Sequence, residues 1–224
     1  MRGGRAGAMR LLSRLFGRRD EPAIDERRWV VLDVETTGLD LQHDRLLAIA
    51  AVALRFDVPD RAPRIDLADS FEAVLQHASA SSDKENILLH GIGVEAQRTG
   101  APPEQVLAAF ERWIGGAPLV AWHAAFDRTM IARAMKLALQ TPPRNPWLDL
   151  APVAAALHPE AGADDALDDW LERFGIECAV RHQAAADTLA TAELLLRLWP
   201  SARAKGCASW RELAALERHQ RWLS

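Results

Sequence analysis

The chain has 224 residues, of which 49% are hydrophobic and 26% charged, a balance that fits one globular domain with a sizeable core. No apolar run approaches the roughly 18 residues a membrane-spanning helix needs, and two cysteines, Cys178 and Cys207, are too few for a disulfide scaffold, so a reducing cytoplasm is the expected setting. The net charge of −4 is uneven: residues 1–28 hold eight arginines against four acids, which leaves −8 for the remainder and no broad basic footprint for nucleic acid.

Residues 1–28 read as a basic, flexible N-terminal extension. Within it, Met9–Gly17 has the pattern of a short amphipathic helix. A targeting segment, a membrane-surface segment, a partner-binding peptide and a plain solvated tail all remain open readings. Trp29–Val34 is predicted as a buried strand ending in the turn signal Glu35-Thr36-Thr37-Gly38. Leu46–Phe56 is the next strand, in a hairpin; Asp57–Asp69 is a loop with two prolines; Ser70–Leu75 is a third strand, and Ala78–Glu85 another loop.

Pro103–Ile114 has helical periodicity through Val106, Leu107, Phe110 and Ile114, and Gly115-Gly116 stops it. Pro118–Trp122 is a short strand. Ala124–Leu139 is a helix with Phe126, Met130, Ile131, Ala134, Leu137 and Ala138 on its inner face. Trp147–Leu150 is a brief strand, followed by helices at Ala151–Leu157, Ala166–Phe174 and Ala184–Leu198. Ser209–Leu223 is a charged terminal helix, whose Trp210 and Trp222 suit either packing or a partner face. Early strands and later alternating helices imply an α/β fold, a mixed central sheet flanked by helices.

Three segments carry chemistry. In a strand, residues i and i+2 share a face, so Asp33 and Glu35 project together from the end of a buried strand. Two unpaired carboxylates there repel, and a divalent oxygen-seeking cation such as Mg²⁺ relieves this. Asp127 falls in the first turn of a helix, in Trp122-His123-Ala124-Ala125-Phe126-Asp127. A carboxylate is common there for the plain reason of the helix macrodipole. His182 lies just before a helix and Asp187 one turn into it, which can place a carboxylate beside a mobile imidazole.

In order and spacing, these segments resemble the DEDD exonuclease superfamily, which includes the proofreading ε subunit of bacterial DNA polymerase III. The matching motifs are Asp33-Val34-Glu35-Thr36-Thr37-Gly38, His123-Ala124-Ala125-Phe126-Asp127, and His182 with Asp187 five residues later. Leu89-His90-Gly91-Ile92, Leu119-Val120-Ala121 and the stretch 166–176 add to the similarity, which spans about residues 28–200. The superfamily divides by whether Tyr or His serves as base. This chain contains no Tyr, so the resemblance implies the DEDDh branch with His182 as general base. Two departures stand out: Trp122-His123 where the family often has His-Asn, and Gly93 where Thr commonly follows His-Gly-Ile.

The resemblance implies a ribonuclease H-like fold, with residues 29–200 as an exonuclease domain and 201–224 as a C-terminal helical appendage. It implies 3′→5′ hydrolysis with two divalent cations, Mg²⁺ or Mn²⁺. Asp33 would bridge both ions, Glu35 and Asp187 would complete the nucleophile-side ion, and Asp127 would serve the other. Thr36, Thr37 and Gly38 would approach the terminal 3′ nucleotide, with His90 and His123 as further substrate contacts. Phe126 is open between stacking on a base and core packing. The expected substrate is a single-stranded or frayed DNA 3′ end, with RNA as the alternative and a non-catalytic scaffold as the third reading. A polymerase partner reached through the terminal extensions and a free-standing enzyme are both open.

Overall fold

The computed structural model describes residues 24–57, 62–161 and 165–223. The expected amphipathic segment at residues 9–17 lies outside them. Five strands form one mixed sheet: β1 (Arg28–Thr36), β2 (Leu46–Arg55), β3 (Arg64–Val74), β4 (Leu119–Ala121) and β5 (Trp147–Asp149), in the spatial order β3-β2-β1-β4-β5. β1 pairs antiparallel with β2 and β2 with β3, whereas β1–β4 and β4–β5 are parallel. Eight helices are described around it: α1 (Lys84–His90), α2 (Val94–Thr99), α3 (Pro103–Ile114), α4 (Ala125–Leu139), α5 (Leu150–Leu157), α6 (Leu167–Arg173), α7 (Ala184–Ala204) and α8 (Trp210–Leu223).

Alternation along β1 builds both halves of the core. Trp29 and Val31 face one cluster, with Leu150 and Val153 of α5, Leu194 and Leu198 of α7, and Leu213 of α8. Val30, Leu32 and Val34 face the other, with Val106, Leu107 and Phe110 of α3 and Met130 and Ile131 of α4. A sheet covered on both faces reads as continuous hydrophobic sequence, and β2 is buried at nine successive positions, Leu46–Leu54. Asp33 and Glu35 continue the face of Trp29 and Val31 to the strand's end, where they are half-buried.

Several expectations need correction. β3 begins at Arg64 rather than Ser70: its first half is polar, and arginines pair its charges across the strands (Arg55 with Asp66 and Asp69, Arg28 with Asp69), so the usual apolar signal is missing. The segment 78–85, read as a loop, enters α1 at Lys84, where the carboxylate of the N-cap Asp83 accepts the Glu85 and Asn86 amides at 3.0 and 3.2 Å. α2 carried no sequence signal. α7 runs through Pro200 to Ala204 instead of stopping at Leu198. Proline costs a helical hydrogen bond, but burial of Leu198, Trp199 and Ala202 holds the helix through it. Leu137, assigned to the inner face of α4, is 77% exposed, and Met135 takes the buried position.

The terminal helix packs into the core. Trp210 is buried, with its ring centroid 5.1 Å from that of Trp29, edge to face. Trp222 on the same helix is exposed.

Candidate active site

The three motif segments converge on one cleft of about 360 Å³. Asp33, Glu35, Asp127, His182 and Asp187 all line it, together with Arg181. A separate apolar groove of about 300 Å³, between α3, α4 and the β1–β2 loop, contains none of these groups.

Each carboxylate arrives by a different local device. Asp33 and Glu35 sit opposite Ala50 and Ala48 of β2, small partners on the neighbouring strand. Asp127 lies in the first turn of α4 and is 4% exposed. The chain enters this helix through His123 at φ 55°, a left-handed residue that ends β4 abruptly. Asp187 lies in the first turn of α7, which is docked on β2 by the Thr188 hydroxyl donating to the Ala50 carbonyl at 3.1 Å. His182 is likewise left-handed, at φ 61°. Its amide donates to Asp187 Oδ2 at 3.0 Å, so the five-residue spacing closes a short loop that leaves the imidazole exposed at the cleft.

Burial and mutual repulsion set the electrostatics of the site. Burial, then repulsion from Asp127, Glu35 and Asp187, pushes the Asp33 carboxyl well above its ordinary range. Burial, then Asp187, raises Glu35 to about 8, and its Oε1 is buried without a hydrogen-bond partner. Burial raises Asp127 to about 7; hydrogen bonding to its own amide and that of Val34 opposes this, and Asp149 adds repulsion. Such a set calls for positive charge. Arg181 supplies one: it ion-pairs with both Asp187 and Asp168. As placed, the carboxylates do not close into a cage of three ligands among the described residues. The donors are all hard carboxylate oxygens, one of them an orphan, and they fit hard divalent cations such as Mg²⁺ or Mn²⁺.

The expected substrate contacts are placed unequally. His123 and Phe126 line the cleft. Phe126 is half-buried and also packs on the core half beneath α3 and α4, so both sequence readings of it have a physical basis. Thr36, Thr37 and Gly38 form the turn between Glu35 and Leu39, which both line the cleft. The hydroxyl of Thr36 donates to Gly38 O at 2.6 Å and that of Thr37 to Asp44 Oδ1 at 2.6 Å. A Cβ at Gly38 would lie 2.5 Å from Asp44 Oδ2, which already accepts the Asp40 amide at 2.7 Å, so glycine here serves the loop's own closure. His90 is buried and lines a neighbouring cavity of about 120 Å³ with Glu35 and Gln183. Its Nδ1 accepts the Ile92 amide at 2.9 Å, while Nε2 has no partner.

Three site-building residues escaped the sequence reading. Arg181 is one. Asn86 of α1 donates to the Thr36 carbonyl at 2.9 Å and ties that helix to the first motif. Asp149, 4% exposed, accepts the amides of His123 and Ala151 at 2.9 and 3.2 Å. Asp149 had a signal: like Asp33, it is an acid at the end of a predicted apolar strand.

A five-stranded mixed sheet with acids gathered at the ends of β1, α4 and α7 defines the architecture of a ribonuclease H-like nuclease. Solved structures share it. The chain superposes on the crystal structure of E. coli exonuclease I in complex with a dT13 oligonucleotide, with a TM-score of 0.66 at 18% identity over 79% of this chain and 42% of that one. It also superposes on the nuclease domain of 3′hExo, a DEDDh family member bound to rAMP, at 0.65 and 15% identity over 83% and 96%. By sequence, residues 30–195 match the exonuclease family (RNase_T), and the chain belongs to that family. Similar relatives are the PolC-type DNA polymerase III of Bacillus subtilis, 33% identical over 185 residues, and of Bacillus cereus, 34% over 182. These alignments cover 82% and 81% of this chain but only 12% of either relative, so the chain spans about an eighth of the polymerases it matches.

Proposed function

We propose that this chain is a metal-dependent 3′→5′ exonuclease that removes nucleotides from single-stranded or frayed DNA ends. The observation that carries the reading is the cleft itself. It assembles four carboxylates and an exposed imidazole from three distant segments, with three carboxyls held above their ordinary range by burial first and by repulsion among neighbouring carboxylates after it. Asp33, Glu35, Asp127 and Asp187 would hold two divalent cations, Mg²⁺ or Mn²⁺. When bound, these supply charge for the phosphodiester and for the attacking and leaving oxygens.

The protein's own residues do the rest. His182 takes the proton of the attacking water on a ring nitrogen, and its backbone tether to Asp187 keeps the imidazole at the cleft while leaving the ring free to turn. Arg181, paired with Asp187 and Asp168 at the cleft wall, offers a guanidinium to the substrate's phosphate. Phe126 and His123 flank the terminal nucleotide. The Thr36–Gly38 turn, held by Asp44 and Asn86, presents backbone to the 3′ end, and His90 lines the small cavity next to Glu35, from which it would reach the substrate. DNA is favoured over RNA because the relatives by sequence are DNA polymerases. The same likeness supports a polymerase partner, with a free-standing enzyme as the other reading. The two unbridged thiols suit a cytoplasmic setting, and no helix among the described residues is long and apolar enough to cross a membrane.

The test is a 5′-labelled oligonucleotide, as DNA and as RNA, incubated with Mg²⁺, Mn²⁺ or chelator. The expected result is a ladder of products shortened from the 3′ end of DNA, abolished by chelation. Asp33→Ala, Asp187→Ala and His182→Ala should each slow it by about 10²–10⁴-fold with the fold intact. Preference for RNA would reassign the substrate, and a His182→Ala protein as fast as the parent would remove the base assignment. Clean binding without cleavage would leave a scaffold.

A further inference from the structure

The C-terminal helix reaches the back of the cleft. Arg221, in the last turn of α8, places Nη2 2.6 Å from Asp149 Oδ2, and its Nε donates to Glu217 Oε1 at 3.0 Å one turn earlier on the same helix. The two partners differ in burial: the Asp149 side chain is 5% exposed and that of Arg221 48%. The guanidinium therefore reaches inward from the surface to a carboxylate that has almost no access to water.

Asp149 joins three elements. It ends β5 and caps α5 through the Ala151 amide, and its Oδ1 also accepts the amide of His123. That amide belongs to the left-handed residue through which the chain turns from β4 into α4. Asp127 follows four residues later, and the charge of Asp149 is one of the influences raising its carboxyl. A buried charge without a partner is costly, and removing one member of a buried pair leaves the other uncompensated. Without Arg221, Asp149 would lose that cation and either shift or add uncompensated negative charge beside Asp127. Each outcome disturbs the turn that aims Asp127.

We propose that Arg221 is a positioning residue for the cation site: by neutralising Asp149 it fixes the His123 turn and, through it, the carboxylate of Asp127. The inference rests on the reading of the cleft as a divalent-cation site. It makes the terminal helix part of the catalytic scaffold, since the arginine that completes the support of Asp127 lies in the last turn of α8.

Calorimetric titration of the full chain with Mn²⁺, without nucleic acid, reads this directly. Arg221→Ala should weaken Mn²⁺ binding about 10-fold, the scale of change expected when a group behind a metal ligand is lost. Arg221→Lys, which keeps the charge but not the fork, should recover part of it. The deciding comparison is made with Asp149→Asn, which keeps the Oδ1 acceptor for both amides and removes the charge. In that background Arg221→Ala should change Mn²⁺ affinity less than 2-fold, a coupling that a generally loosened helix would not produce. Thermal melting of each protein without metal reports whether it folds; should Arg221→Ala melt early, the Arg221→Lys and Asp149→Asn proteins carry the comparison. Equal loss in both backgrounds, or parental affinity in Arg221→Ala, overturns the role of Arg221 while leaving the cation site standing. A parent protein that binds no Mn²⁺ overturns both.

Discussion

Glu35 shows how a single residue is shaped against its own comfort. Its carboxyl is held near 8 chiefly by burial, with Asp187 adding to it, and its Oε1 has no hydrogen-bond partner. In the unfolded chain the same group titrates near 4.5. The folded protein thus binds this proton more tightly, so the stability linked to it is present below about pH 4.5 and is lost as pH rises through about 8. Asp127, held at about 7, acts in the same direction over a lower window. Glu35→Gln should therefore stabilise the metal-free protein at pH 8–9 on the order of 1 kcal/mol, about 2–4 °C in Tm, with a smaller gain at pH 5. Melting curves at both pH values check this. A Glu35→Gln protein that melts below the parent at high pH would show that the carboxylate is better solvated than its burial suggests.

The elements divide into those that announce themselves and those that depend on neighbours. α3 has both a proline at its first position and a buried stripe of Val106, Leu107, Phe110 and Ile114, and it matches the sequence reading from end to end. β1 and β2 were equally plain because their burial is nearly continuous. The polar half of β3, α1 and the last turns of α7 were not. Their stability comes from cross-strand ion pairs, an aspartate cap and core contacts beyond a proline, none of which is periodic in the chain. α8 is charged along most of its length, yet Trp210 and Leu213 are buried against the α5 and α7 side of the core. Leu213→Ala should cost about 2–5 kcal/mol and lower the midpoint of a single cooperative unfolding transition. Denaturant melts followed by tryptophan fluorescence measure it. A second, independent transition for the helix would mean that it docks without sharing the core.

At the scale of the molecule, the sheet separates two packed layers and its β1 end gathers the acids. Outside residues 1–28 the chain carries −8, an unusual balance for a protein that meets nucleic acid by charge alone. On the function proposed above, cations held at the cleft supply its attraction to a polyanion. Mg²⁺ or Mn²⁺ should raise Tm, and the rise should be larger at pH 8 than at pH 5, because Glu35 and Asp127 compete with the metal for protons at the lower pH. Thermal shift across that pH range reads it out. An equal rise at both values would place the ion on groups other than these carboxylates.

The sequence by itself determined the buried strand, the paired acids at its end and the order of the three motif segments; His182 as base is what the family resemblance implies. These are local in the chain: alternation, spacing and residue type are enough to express them. Only the tertiary structure decided what supports them. Asp149 behind the His123 turn, Arg221 from the last helix, Arg181 across Asp187 and Asn86 under Thr36 are contacts between residues 6 to 72 positions apart. Long-range pairs of this kind leave no periodic trace, because the partner of a buried charge is chosen by proximity in the fold rather than by position in the chain.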